Sequence, residues 1–280
     1  MMRRIWIRKP VGTLPSVLFG LGCVALVFAV WFVFTTAPHA EDRLISRNVL
    51  PNPLDILAAF PGLVLGSGGT EFVWQKSLFY AIWLSLQREL IAFVAVILVA
   101  LPIGIFMSAS NSFRAFGTPL LVVGTFIPIA ALIPLTQAIF GIGELQKVIF
   151  LALGMFFVLL GLVIKEMDEV DSILLQTAYT LGFSQLQSLL LVNFPTALPR
   201  IWKHLSSVFG LGWGYIIFAE MVNSGGGDAV NGIGWLFIAR QRRFQVADMY
   251  AIFFIIIIFA FLFSWLFRIT GRALFPQERS

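Results

Sequence analysis

Six runs of the chain, residues 14–36, 77–107, 119–140, 148–164, 201–222 and 247–267, are predominantly apolar over lengths near that needed to cross a bilayer. A hydrocarbon core about 30 Å thick takes roughly 20 residues of helix, and inside it every backbone N–H and C=O must find a partner within the protein. Barrel strands alternate apolar and polar side chains, and these runs do not. Charged residues make up 12% of the chain, about half the share of a soluble domain. The expected fold is therefore an all-α polytopic membrane protein with about six transmembrane helices.

Lysine and arginine orient such a chain, because they collect on the cytoplasmic side. With six spans and both termini inside, Arg3, Arg4, Arg8, Lys9, Arg114, Lys165, Arg200, Lys203, Arg268, Arg272 and Arg279 fall on the inner side, eleven of the 19. Arg240, Arg242 and Arg243 pull the other way. The first apolar run exceeds the roughly 7–15 residues of a signal-peptide core, so it reads as an uncleaved first span. Cleavage near Ala40 is the alternative. The net charge of +5 belongs to these membrane edges and does not indicate a nucleic-acid partner. Cys23 is the single cysteine, so no intrachain disulfide can form.

Between the runs, Asn52 and Pro53 suit the cap and first position of a helix. That helix is too short to span and is expected to lie along the outer membrane surface. Residues 66–70 read as a flexible loop, residues 108–116 as a short inner loop, and 223–234 as a glycine-rich outer loop. The third run is interrupted by Pro119, Gly124, Pro128 and Pro134. Breakers free backbone groups, which must then face protein or a water-filled cavity. Thr125, Pro128, Pro134, Thr136 and Gln137, with Trp213, Tyr215 and Glu220 on the fifth run, are accordingly candidates to line a pathway. Helix–helix packing is the competing role for these residues. Glu220 is expected near the outer end of its span, within reach of water, either touching substrate or paired with an arginine. Arg88 and Glu89 read as packing and outer-edge anchors.

Residues 172–199 carry no charge and could pass for a seventh span. Their polar content argues otherwise: Gln176, Thr177, Thr180, Ser184, Gln185, Gln187, Ser188 and Asn193 do not suit lipid. The pattern is helix, glycine, helix, proline. Gly182 permits a sharp joint between two short helices. Pro195 and Pro199 close the segment, with proline expected to stop the second helix and start the next element.

This spacing resembles the EAA loop of bacterial ABC-importer permeases, in which a Glu-Ala-Ala triplet precedes a glycine four residues after its last alanine. Here the triplet is Gln176-Thr177-Ala178, Gly182 stands at the family position, and Ala197-Leu198-Pro199 closes the match. Leu50-Pro51-Asn52-Pro53 is similar to the entry motif of the nitrate/sulfonate/taurine group. So are Pro128 with Leu132-Ile133-Pro134-Leu135, Phe140-Gly141-Ile142-Gly143-Glu144, the stretch from Gly210-Leu211-Gly212-Trp213 to Ala219-Glu220-Met221, and Gly232-Ile233-Gly234-Trp235. This chain departs from the group where Gln176 replaces glutamate, where Gln185 and Leu186 follow the glycine, and where Leu189, Leu190 and Leu191 stand in place of common arginines.

The resemblance implies a type I importer permease in the bacterial inner membrane, with both termini cytoplasmic. Gln176, Thr177, Ala178, Gly182, Gln185, Leu186, Pro195 and Pro199 would dock on a separate ATPase subunit, which binds ATP and Mg. A second permease chain, giving a homodimer, and an extracytoplasmic solute-binding protein would complete the importer, with membrane lipid around it. The implied solute is a small anion such as nitrate, a sulfonate or bicarbonate. A neutral or cationic cofactor precursor is the alternative, and a membrane enzyme or scaffold is the rival class. Residues 1–76 would hold the first span and an outer segment, 77–272 the permease core with the coupling loop at 166–200, and 273–280 a tail. Catalysis by the chain itself finds no support. The sequence contains no His-Glu-x-x-His, no Gly-x-Ser-x-Gly and no Gly-x-x-x-x-Gly-Lys-Ser/Thr. His39 and His204 fall on opposite predicted sides of the membrane, which excludes a shared metal site.

Overall fold

The computed structural model describes residues 12–36, 45–66, 74–221 and 231–276. The N-terminal basic cluster, most of the segments 66–70 and 223–234, and the last four residues lie outside the described residues. Every regular element among the described residues is helical: α1 (Thr13–Thr35), α2 (Pro53–Leu65), α3 (Leu78–Ala109), α4 (Asn111–Phe126), α5 (Ile129–Phe140), α6 (Glu144–Asp168), α7 (Ser172–Thr180), α8 (Gln185–Ser188), α9 (Phe194–Glu220), α10 (Ile233–Arg242) and α11 (Val246–Leu274). Among the described residues the helices α1, α3, α6 and α11 are long and apolar enough to span a membrane, and α4 with α5 are so only together, as a broken span or a re-entrant loop. At 27 residues α9 is long enough as well. Pro195, Pro199, Arg200, Lys203 and His204 lower the hydropathy of its first half.

The helices fall into two compact units. One comprises Met1–Pro61 and Arg240–Ala251. In it, Trp31 of α1 donates its indole N–H to the Pro51 carbonyl (3.0 Å), and the Tyr250 hydroxyl reaches the Val49 carbonyl (3.4 Å). The expected cap of α2 is present. Asn52 Oδ1 accepts the Leu54 N–H at 2.9 Å, and Asp55 Oδ2 accepts the Asn52 N–H at 3.3 Å. Two of the donors at the helix start are thereby satisfied.

The other unit comprises Gly62–Ala239 and Ile252–Ser280. Its centre is the packing of α3 on α6 and of α6 on α9. The buried row on α3 runs Ala81, Ser85, Glu89, Ala92, Val96, Ala100, Gly104; that on α6 runs Lys147, Leu151, Met155, Leu159, Val163. Spacing close to four residues makes each row a single ridge. The small residues on α3 let the two backbones approach, which is how helices associate when lipid gives no hydrophobic drive between them. Aromatic rings fill the space between α3, α9 and α11. Phe209 meets Phe93 at 5.2 Å and Phe263 at 4.6 Å, and Trp213 stacks on Phe259 at 5.7 Å.

The interruption expected in the third run falls at Ile127 and Pro128, where α4 and α5 meet at 106°. Proline there denies the helix a donor and biases Ile127 toward extended backbone. Two sequence expectations need correction. Residues 108–116 are not a loop. The chain re-enters helix at once because the Ser110 side chain caps α4 by accepting the Phe113 N–H (3.3 Å). Finally, Pro195 does not stop the second short helix. That helix passes through a π turn, Leu189–Asn193, into α9, and Pro195 occupies the first turn of α9. Pro195 has no N–H to donate, and it follows directly on the π turn, where the hydrogen-bond register of the helix changes.

Candidate functional site

The 176–199 segment folds as two helices around a glycine joint. Asp171 caps α7 by accepting the Ile173 N–H (2.9 Å). At the other end, Phe183 N–H bonds the Ala178 carbonyl and Gly182 N–H bonds the Tyr179 carbonyl, both at 3.0 Å. This crossed pair is a Schellman stop, which needs a left-handed residue at the position of Gly182. Gly182 has φ +86°, and no heavy atom stands near where a Cβ would be. The requirement there is conformational rather than spatial. After the joint, Ser184 and Gln187 cap α8 reciprocally: the Ser184 hydroxyl accepts the Gln187 N–H (3.3 Å) and Gln187 Oε1 accepts the Ser184 N–H (2.9 Å).

Of the eight loop residues singled out above, Gln176, Thr177, Gly182, Gln185, Leu186 and Pro195 are exposed. Ala178 is buried beneath the joint and Pro199 is half-buried within α9. Leu181 (72% exposed), Leu186 (55%) and Leu191 (64%) leave an apolar, uncharged surface on the loop. Its flanks are fixed to α6. Glu166 accepts from Arg200 Nε (2.8 Å) and lies 2.7 Å from His204 Nε2, while Arg114 of α4 pairs with Asp168.

A second constellation lies in the same unit, at the other end of α9. Glu220 is fully buried, not within reach of water as expected. It pairs with Arg88, accepts the Ser85 hydroxyl (2.8 Å) and accepts the Gly234 N–H (2.8 Å). Arg88 also holds Glu144 and donates to the Asn231 carbonyl (2.9 Å), and Lys147 donates to Asn231 Oδ1 (2.9 Å) and Glu144 Oε1 (3.1 Å). The alternative of an arginine partner for Glu220 thus holds. Arg88 and Glu89 are 4% and 0% exposed, in keeping with the packing role read for them. Sequence reading missed Ser85, Glu144, Lys147 and Asn231. Two ionisable residues in a mostly apolar helix were the available signal, because a charge at that depth implies a partner.

Glu89 is the exception within the core. Neither carboxylate oxygen has a hydrogen-bond partner among the described residues. It lies against Gly212, where an added Cβ would meet both the carboxyl group and the Met155 sulfur. Unsatisfied buried polar groups cost about 1–3 kcal/mol. Glu89→Met, unbranched and adaptable in shape, is expected to unfold at the same or a higher temperature than the parent in detergent. A clearly lower melting temperature would mean that the carboxyl group has a partner in the assembled transporter or the bilayer.

The pathway candidates divide by placement. Thr125, Pro128 and Pro134 are exposed on the broken α4–α5 pair, with Gln137 and Tyr215 half-buried. Thr136 is buried, donating to the Leu132 carbonyl (2.7 Å) and accepting from Gln146 Nε2 (2.9 Å). Trp213 is fully buried and donates to the Ile256 carbonyl (2.9 Å). The structure therefore brings the first five to accessible surface and uses Thr136, Trp213 and Glu220 inside the packed unit.

Residues 100–280, which include the loop, α9 and α11, match the family of binding-protein-dependent transport system inner membrane components. The chain belongs to that family. This permease is 29% identical over 275 residues to the taurine transport system permease protein TauC of Escherichia coli strain K12, covering 98% of this chain and 94% of that one. It is 26% identical over 261 residues to the putative aliphatic sulfonates transport permease protein SsuC of Bacillus subtilis strain 168, covering 93% and 88%. Its fold matches a chain of the MetNI methionine ABC transporter in an inward-facing conformation, with a TM-score of 0.63 at 18% identity over 70% of this chain and 95% of that one. The permease is thus a transport subunit and not an enzyme, and its absence of catalytic motifs follows from that role.

Proposed function

We propose that this permease couples to a separate ATPase through the 176–199 loop and carries small sulfonate- or nitrate-like anions inward. The observation that carries this reading is the loop itself. It is a rigid, reciprocally capped helix pair with an exposed apolar surface, bound at its base to α6 through Glu166. An exposed apolar surface on a connector rich in polar side chains fits a protein partner better than lipid. Gln176, Thr177, Gly182, Gln185 and Leu186 face that partner, with ATP and Mg bound on the ATPase. The loop lies in the cytoplasm and both termini lie on the same side. Two permease copies enclose the pathway, since the broken pair and α9 of one copy form only one wall. Thr125, Pro128, Pro134, Gln137 and Tyr215 line it. A binding protein delivers solute from outside, and the anion class is suggested by the relatives that carry taurine and aliphatic sulfonates.

Cross-linking tests the coupling surface directly. Cys23 is the single cysteine and is exposed on α1, so Cys23→Ser provides a clean background. Leu186→Cys in that background is expected to cross-link to the co-expressed ATPase. The same complex in vesicles is expected to take up a sulfonate only with ATP and the binding protein present. An ATPase that co-purifies but never cross-links at Leu186 or Gln185 would remove the loop from the interface.

A further inference from the structure

The N-terminal half of α9 and the C-terminal half of α11 face each other across a groove of about 460 Å3. On α9 the lining includes Trp202, Lys203, Ser206 and Ser207, and from α11 and the residue after it come Arg268, Arg272 and Phe275. Both sets follow the three- and four-residue spacing of a single helix face. The floor is a built structure. Trp202 donates its indole N–H to the Phe267 carbonyl (3.0 Å) and packs on the Phe267 and Phe275 rings at 5.9 and 6.2 Å. Ser206 donates to Ser264 Oγ (3.0 Å). Around this floor stand three cations, Lys203, Arg268 and Arg272. Arg268 makes no hydrogen bond or ion pair among the described residues.

We infer that this groove binds the headgroup phosphate of an anionic phospholipid. Guanidinium groups match phosphate oxygens geometrically, and the Ser264 hydroxyl, which accepts from Ser206, keeps its own proton to donate. The depth is that of a lipid headgroup. Arg268 follows the start of α11 by 22 residues, roughly 33 Å at the helical rise, about one hydrocarbon thickness. Tryptophan is favoured at that level. Phe261, Trp265 and Leu266 of α11 are exposed nearby and give acyl chains an apolar wall. A soluble phosphate would use the cations but not this wall. Assignment to the cytoplasmic leaflet rests on the orientation proposed above, whereas the binding itself does not, so the two can fail separately.

Native mass spectrometry of the purified full chain tests this with phosphatidylglycerol, phosphatidylcholine and inorganic phosphate as probes. Phosphatidylglycerol is expected to be retained in preference to phosphatidylcholine, and millimolar inorganic phosphate is expected not to displace it. The triple variant Lys203→Gln, Arg268→Gln, Arg272→Gln should bind phosphatidylglycerol at least about fivefold more weakly, the share of one cation. Arg242→Gln with Arg243→Gln, exposed cations elsewhere, should change nothing. If the triple variant fails to fold, Arg268→Gln against Arg268→Lys decides, with only the lysine keeping the lipid. Equal retention by the groove variants, equal loss in the Arg242/Arg243 control, or displacement by inorganic phosphate would each overturn the inference.

Discussion

Gly182→Val is expected to reduce ATP-driven uptake tenfold or more while the chain still inserts and still folds. The Schellman stop holds this residue at φ +86°, a region that a β-branched side chain enters only at a cost of about 1–3 kcal/mol. The bundle does not bear that cost, because no atom stands near the position. The joint itself bears it, and α7 would end elsewhere, so α8 would no longer be presented at its present angle. A loss of 1.4 kcal/mol in partner binding is about tenfold. Gly182→Asn, which tolerates left-handed backbone, should retain most of the uptake. Vesicle uptake and substrate-stimulated ATP hydrolysis check both variants. Normal values for Gly182→Val would sink the coupling role of the joint.

The second large effect lies at the buried ion cluster. Arg88→Ala removes the charged partner of Glu220, which is fully buried, and one partner of Glu144, which is exposed. Breaking a buried pair from one side costs about 3–5 kcal/mol, because the remaining charge stays desolvated. Asymmetry between the two carboxylates makes the prediction specific. Glu144→Gln, 61% exposed at its side chain and keeping an acceptor for Arg88 and Lys147, should cost less, whereas Arg88→Ala should lower the melting temperature sharply and reduce the amount of chain in the membrane. Adding Glu220→Leu to Arg88→Ala should restore part of the loss, since it removes the orphaned charge. Thermal unfolding in detergent reads all three. An Arg88→Ala chain melting with the parent would show that Glu220 is not held by this pair.

Much of the fold was legible because lipid imposes so simple a rule. Runs such as 77–107 and 247–267 are long and apolar, and they became α3 and α11. The joint at Gly182 was legible for a different reason, since few residues other than glycine suit a left-handed stop. Proline was less transparent. Pro128 breaks a span and Pro195 begins a helix, and only the neighbouring hydrogen bonds distinguish the two. The ion cluster was hidden because its members, Ser85, Arg88, Glu144, Lys147, Glu220 and Asn231, are far apart in sequence and meet only through packing of α3, α6 and α9. Trp213 and Thr136 looked available for a pathway because they are polar-tipped, yet each spends its hydrogen bond inside the unit.

The π turn at Leu189–Asn193 has a mechanical consequence. From Gln185 to Glu220 the chain contains no non-helical residue, which makes one continuous helical path of roughly 50 Å in contour at the helical rise. One end of the path is the loop surface and the other is fastened by Arg88, Ser85 and the Gly234 N–H. A thrust on α8 therefore meets no slack joint before the ion cluster. The five-residue π turn is the only place along the path where the hydrogen-bond register changes. Force entering at the loop either tilts the whole helical path about its fastened end or is dissipated by a register shift in that one turn.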